Sequence, residues 1–200
     1  YRTHAREYGV PIVETQVQAL AREGPAFVAG DGTREWRARH VILATGVVDR
    51  LPEMADVDDA IHSGVVRLCA VCDGYEARDE AIGVLAPAAD ALDHAEFLRT
   101  FSRKVAALVM DEPGMLDDAW RRRADRAGIT LYPAPTRLSL RDGGCQADFS
   151  DGTTLRMDTL YPVLGAEAQC ALVRALGARL DAVGARHVDE RMHTSVEGLY

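Results

Sequence analysis

Ala81-Ile82-Gly83-Val84-Leu85-Ala86-Pro87-Ala88-Ala89-Asp90-Ala91 is the stretch whose reading decides the fold. Residues 81–85 form a short apolar run of the kind that becomes a strand buried on both faces. A tight turn follows. From Asp90 to Ser102, Ala91, Ala95, Leu98 and Phe101 fall on one helical stripe. A second strand is predicted over Lys104 to Met110, and a second helix over Met115 to Ala127, stopped by Gly128. A third strand runs from Ile129 to Tyr132. Strand, helix, strand, helix, strand in this order implies parallel strands with right-handed crossovers. The predicted class is α/β, a Rossmann-like doubly wound nucleotide-binding domain.

Downstream, shorter strands are predicted over Arg137–Arg141, Gln146–Phe149 and Thr154–Met157, separated by Asp142-Gly143-Gly144 and Asp151-Gly152. They read as a β-meander inserted into the sheet. Thr159 to Leu164 is a further buried strand, and Gln169 to Leu176 a short helix ended by Gly177. Upstream, Pro11 to Leu43 reads as β: Val13–Leu20, Pro25–Ala29, a turn at Gly30–Thr33, and Trp36–Leu43. Within it, Arg39 to Gly46 is expected to be a buried strand ending in a small flexible loop. Leu51 to Val66, irregular and acidic, reads as a linker. Tyr1, Ala5 and Tyr8 share a helix face stopped by Gly9, and Val196–Tyr200 looks like a strand cut short. Both ends are abrupt, and a piece of a longer protein is expected.

An apolar fraction of 48% and a charged fraction of 27% are those of an ordinary globular chain. With 23 basic and 31 acidic residues the net charge is -8, which argues against nucleic acid and anionic membrane as partners. No run is apolar and long enough for a membrane-spanning helix. The four cysteines, Cys69, Cys72, Cys145 and Cys170, are too few for a disulfide-stapled secreted scaffold. A cytoplasmic setting is expected. Zinc is not, because a second close cysteine pair and a finger-spaced histidine pair are both missing.

The chemistry centres on Cys69-Ala70-Val71-Cys72-Asp73-Gly74, just ahead of the strand–turn–helix. Two cysteines at this spacing can close a small disulfide ring and reopen it as a dithiol. An acid directly after the second cysteine can give or take the proton. Two buried apolar cysteines at an accidental spacing are the plainer alternative.

Four stretches in order carry a resemblance to the thioredoxin reductase family, in its low-molecular-weight bacterial form. They are Val41-Ile42-Leu43-Ala44-Thr45-Gly46, the Cys69–Gly74 motif, the βαβ from Ile82 to Met110, and His193-Thr194-Ser195-Val196-Glu197-Gly198-Leu199-Tyr200. The resemblance implies an FAD domain with a nicotinamide domain inserted into it. Residues 1–50 and 180–200 would be partial FAD-domain segments, and residues 51–179 the inserted NAD(P)-binding-like domain with the cysteine pair. It implies that Cys72 faces the flavin, Cys69 attacks the substrate disulfide, and Asp73 handles the proton. It implies a thioredoxin-like protein or a small disulfide or dithiol as partner, and a homodimer. Ala44, Thr45 and Gly46 match a loop near the flavin pyrophosphate; a plain strand-end loop is the other reading. The family's Gly-rich FAD fingerprint and closing flavin motif would lie outside residues 1–200, so this piece is expected to bind FAD poorly.

The nicotinamide loop departs from the family. A dinucleotide site wants glycines where the backbone turns tightly and approaches the pyrophosphate. Here Ala86, Ala88, Asp90 and Ala91 stand in that loop, and only Ala91 fits. Pro87 removes a backbone donor. Asp90 either repels phosphate or serves as the helix N-cap. At the end of the next strand, Asp111 stands where basic residues would hold a 2′-phosphate. It suits a ribose 2′-hydroxyl, favouring NADH over NADPH, unless it belongs to a solvated turn before Pro113-Gly114. Arg121–Arg123 read as a solvated helix face, Cys145 and Cys170 as ordinary small residues, and His62 as a remote candidate for proton transfer. The expected function is a flavoprotein disulfide oxidoreductase passing electrons from NAD(P)H through FAD to the cysteine pair. Two alternatives stand beside it. One is a flavoprotein with the cysteine pair that does not use NAD(P)H, either ferredoxin-dependent or a dithiol oxidase. The other is a non-catalytic module.

Overall fold

The structure, a computed structural model, describes residues 1–112, 116–182, 184–185 and 187–200. The chain divides into two compact units. One comprises residues 1–48 and 167–200; the other is the continuous segment 49–166.

The first unit opens with α1 (Arg2–Glu7), none of whose residues is buried. A hairpin of β1 (Ala19–Glu23), β2 (Ala26–Gly30) and β3 (Glu35–Ala38) follows, antiparallel throughout. The β2–β3 turn is held by Asp31, whose Oδ1 accepts from the backbone N–H of Thr33 and Arg34 at 3.0 and 2.7 Å. β4 (Val47–Asp49) then leads into the second unit.

The second unit carries α2 (Val57–His62), α3 (Ala70–Asp73), β5 (Ala81–Ala86), α4 (Ala88–Leu98), β6 (Lys104–Val109), α5 (Asp118–Ala127) and β7 (Thr130–Pro133). The meander β8 (Arg137–Arg141), β9 (Gly144–Asp148) and β10 (Thr154–Met157) follows, then β11 (Thr159–Pro162). β12 (Ala166–Ala168) pairs with β4, and α6 (Ala171–Ala175) belongs to the first unit.

β11, β5, β6 and β7 form a four-stranded sheet in that order, every neighbour parallel. This is the expected Rossmann-like arrangement. Its central strands β5 and β6 are buried on both faces. Ile82, Val84, Ala86, Val105, Ala107 and Val109 point to one core, shared with Ala91, Leu92, Ala95 and Leu98 of α4 and Ala124 of α5. The alternate residues Leu85, Ala106, Leu108 and Leu160 point to a second core, made with Leu138, Cys145, Ala147 and Met157 of the meander. The expected meander is therefore a separate antiparallel sheet that covers the face opposite α4 and α5.

Several sequence expectations give way. Leu51–Val66 is no linker: it folds as α2, with Met54, Ala60, Val65 and Val66 buried in the second core. Its acids make sense as helix chemistry, because Asp56 is the N-cap residue and Asp58 and Asp59 lie in the first turn, where negative charge is favoured. Strand β1 starts at Ala19, not Val13; residues 11–18 lie outside any strand and are exposed, with the Gln18 N–H bonded to Gly30 O. Arg39–Gly46 is not a buried strand, and Ile42 is 79% exposed. Val41 and Leu43 instead pair in parallel with the closing residues: Val41 N–H donates to Gly198 O, Tyr200 N–H to Val41 O, and Leu43 N–H to Tyr200 O. Helix α4 begins at Ala88 rather than Asp90, and α5 at Asp118. The predicted start of α5, Met115, lies outside the described residues, as do Pro113 and Gly114. Returning chain joins the first unit from Glu167, earlier than the expected residue 180. The reason is packing, since Val173 of α6 and Ala178 are buried with Leu20 and Phe27.

Gly83 sets how closely the meander sits. A Cβ built there would lie 2.1 Å from Met157 Sδ and 3.3 Å from Leu160 Cδ1. Met157 is itself buried. Gly83→Val is expected to cost about 1–3 kcal/mol through overpacking. Urea unfolding checks this, and Met157→Ala in the same chain is expected to return part of the loss.

Candidate active site

Cys69 and Cys72 are joined by a disulfide, with their Cα atoms 5.3 Å apart. The single turn α3 makes this possible. Cys69 is its N-cap residue, and the N–H groups of Cys72 and Asp73 both donate to Cys69 O, at 2.9 and 3.2 Å. Cys72 is exposed and Cys69 half-buried. Gly74 has a packing reason: a Cβ there would lie 2.6 Å from Ala70 O and 2.7 Å from the Phe101 ring.

Two cavities meet Cys69. One, of about 480 Å³, is mostly apolar and lined by Leu68, Cys69, Val71, Phe97, Tyr161 and Val163 among others, with Arg50, Asp93 and His94 as polar neighbours. The other, of about 490 Å³, has Cys69 and Asp73 on its wall together with His62 and Arg67. His62 is exposed, its Nδ1 2.7 Å from Asp58 O.

The Asp73 carboxylate is held from two sides. Tyr161 donates its hydroxyl to Oδ1 at 3.0 Å, and Arg67 Nη1 lies 3.5 Å from Oδ2. Arg67 is in turn anchored by an Nε–H bond to Gly64 O at 3.0 Å. Burial, and then the bond to Asp73, push the Tyr161 hydroxyl well above the usual tyrosine range. The other cysteines stand apart: Cys145 and Cys170 are buried free thiols. Burial pushes the Cys145 thiol up to about 11, so it stays protonated and unreactive.

The loop at the end of β5 has a different arrangement from the one expected. Ala86 and Ala91 are fully buried core residues. The N-cap of α4 is Pro87, and no side chain of its own caps it. Asp90 is an exposed first-turn residue, not the cap. Asp111 takes the capping role from outside the helix, its Oδ2 accepting the backbone N–H of Ala88. Trp120 of α5 adds an Nε1–H bond to Ala88 O at 3.2 Å. The positive end of α4 thus already has a carboxylate on its first N–H. This set of residues does not fit a dinucleotide pyrophosphate, which needs those same donors and glycine-thin backbone. Asp111 Oδ2 is thereby engaged at the helix terminus rather than facing open space. On α5, the Arg123 guanidinium reaches Asp93 and Glu96 of α4, each at 2.6 Å.

In the first unit, the Ala44–Gly46 loop is exposed. Thr45 Oγ1 donates to Gln169 O at 2.7 Å, and Gly46 has φ +68° with open space around its missing side chain. Gly46 lines an open cavity of about 570 Å³ with Ile42, Leu43, Met192, Tyr200 and Arg191, the one charged residue among its described lining. Among the described residues no helix is long and apolar enough to cross a membrane.

Comparison with known proteins agrees with this architecture. The chain is 26% identical over 171 residues to a thioredoxin reductase of Mycoplasma pneumoniae, covering 82% of this chain and 54% of that protein. It is 27% identical over 210 residues to a thioredoxin reductase of Mycolicibacterium smegmatis, covering 100% of this chain and 66% of that protein. Among solved structures, that of HlmI superposes with a TM-score of 0.86 at 26% identity, over 100% of this chain and 64% of that one. The chain therefore spans between about half and two thirds of the length of these relatives. A profile of the pyridine nucleotide-disulphide oxidoreductases matches residues 4–200, and the chain belongs to that family.

Proposed function

We propose that this chain is the redox core of a thioredoxin reductase-like flavoprotein. In it, Cys69–Cys72 exchanges electrons between FAD and a partner disulfide or dithiol. The observation that carries the reading is the disulfide itself, on a one-turn helix with Cys72 exposed, Cys69 on two cavities, and Asp73 held beside it. Opening the disulfide takes two electrons and two protons, which leave as the partner is reduced. The flavin, when bound, supplies the two-electron transfer. The open, apolar cavity beside Gly46, with Arg191 as its cation, suits an apolar ring system bearing an anionic tail. Ala44, Thr45 and Gly46 would line it. Cys72 takes the flavin-facing role, Cys69 attacks, and Asp73 passes the proton. The partner is a thioredoxin-like protein or a small disulfide or dithiol; the 480 Å³ apolar cavity on Cys69 favours the small one. A homodimer in the cytoplasm follows the family likeness.

The electron donor has a second reading, and Asp111 favours it. With Ala88 N–H taken by a carboxylate, electrons come from a donor other than NAD(P)H, such as reduced ferredoxin. In the reverse direction a substrate dithiol is oxidised, with oxygen as final acceptor.

Two measurements test these assignments. In the intact flavoprotein, Cys72→Ser is expected to abolish disulfide turnover while any flavin stays bound. Unchanged turnover there and in Cys69→Ser would overturn the redox role. For the donor, three lost phosphate contacts at about 1 kcal/mol each weaken dinucleotide binding roughly a hundredfold. Calorimetry on the chain is expected to show weak NADH and weaker NADPH binding. Tightening is expected only when Asp111→Ala accompanies Ala86→Gly and Ala88→Gly. Micromolar NADPH binding by the unaltered chain would refute the second reading.

A further inference from the structure

The geometry points to Tyr161, with Arg67, as the positioning pair that aims the Asp73 carboxylate at the cysteines. The inference rests on the reading of Asp73 as the group that moves the proton. Tyr161 comes from β11, on the far side of the parallel sheet's first strand, and is 2% exposed. Its ring packs in the same core as Ile82 and Val84, so the hydroxyl cannot swing away to solvent. That hydroxyl lies 3.0 Å from Asp73 Oδ1 and 3.3 Å from Asp73 O, and its single proton goes to the nearer, charged acceptor. Arg67 attracts the second oxygen from the opposite side, and its own bond to Gly64 O holds the guanidinium in place. A lone carboxylate on a four-residue helix has free rotation about its side-chain bonds. A hydrogen bond on one oxygen and an ion pair on the other fix one orientation, with Asp73 and Cys69 on the wall of one cavity. Because burial keeps the tyrosine protonated, it remains a donor at any working pH.

The chemistry being aimed is simple. A thiolate of a reducing dithiol attacks Cys69 Sγ, a mixed disulfide forms, and the Cys69–Cys72 bond breaks. Cys72 leaves as a thiolate and takes one proton. The second thiol of the reductant then closes on the first, releasing Cys69, which takes the other proton. The dithiol loses two electrons and two protons, and the protein pair gains both. Asp73 passes the proton to the departing sulfur, and its orientation decides how well.

A double-mutant cycle tests the assignment. Dithiothreitol reduces Cys69–Cys72 in the full chain, and trapping of the new thiols gives the rate. The variants are Asp73→Asn, Tyr161→Phe and the pair of them. Asp73→Asn is expected to slow reduction by about tenfold or more. Tyr161→Phe keeps the ring in the core and is expected to slow it several-fold. The double variant is expected to match Asp73→Asn alone, because the hydroxyl acts only through the carboxylate. A side chain that merely fills the core would slow the Asp73→Asn chain as much as it slows the unaltered one. Such additivity, or an unaltered rate in Tyr161→Phe, overturns the inference. Should Tyr161→Phe not fold, the same cycle with Arg67→Gln, which removes the charge and keeps an amide donor, carries the test. If Asp73→Asn itself reacts at the unaltered rate, the proton role and this inference fall together. The redox pair is then judged separately by Cys72→Ser.

Discussion

Everything in the second unit depends on two strands that bury both of their faces. β5 and β6 lie at the centre of the parallel sheet, and each sends alternate side chains to opposite cores. Their period-two geometry makes this division automatic. The helices cover one face and the meander the other, so neither layer can shift without disturbing both. Gly83 marks the tightest point, where the meander's Met157 reaches the strand backbone. The catalytic candidates hang from this slab. β11 presents Tyr161 beside α3, and the Val65–Arg67 segment, bridged to Leu160, presents Arg67 from its own edge.

The end of β5 shows how a small change of residues alters what a fold can offer. A helix N-terminus leaves backbone N–H groups without partners, and these usually meet an anion or a capping side chain. Glycines leave that place to a ligand. Here Pro87 removes one donor, and the carboxylate of Asp111 takes the N–H of Ala88. Trp120 bonds to Ala88 O from α5, and Arg123 ties α5 to Asp93 and Glu96. The two helices are cross-linked around a terminus that is satisfied from within.

Much of this was legible in the sequence, and the reasons are physical. The strands β5 and β6 and the stripe of α4 rest on strong periodicity over buried elements, and they lie close to where they were expected. The cysteine pair was legible because spacing alone decides whether a small ring can close. The acidic run at Asp56–Asp59 was misread because acids mark both linkers and helix starts; the buried Ala60 and Val66 nearby were the signal against a linker. The stretch around Ile42 was misread because an apolar run says nothing about whether a neighbour covers it. Asp111 was seen as a residue facing a ligand, and sequence has no means of showing that its nearest donor is 23 residues back. Tyr161 and Arg67 gave no sequence signal at all. Their role arises where separate segments, 88 and 6 residues from Asp73, converge.

The pairing of Val41 and Leu43 with Gly198–Tyr200 bears on how the chain comes to be folded. Those bonds close a loop that encompasses the whole of residues 49–166. Chain emerging from a ribosome meets its partners in order. The continuous middle segment has its two cores within residues 49–166, whereas Val41 must wait for residues 198–200, and Leu20 and Phe27 of the hairpin for Val173 and Ala178. Until then the apolar edge at Val41 and Leu43 lies open, and closing so long a loop costs entropy that only late contacts repay. The chain is thus obliged to complete the 49–166 unit before the first unit. A stall or break between residues 180 and 200 would leave residues 49–166 folded and the first unit unfinished, the kind of species that aggregates.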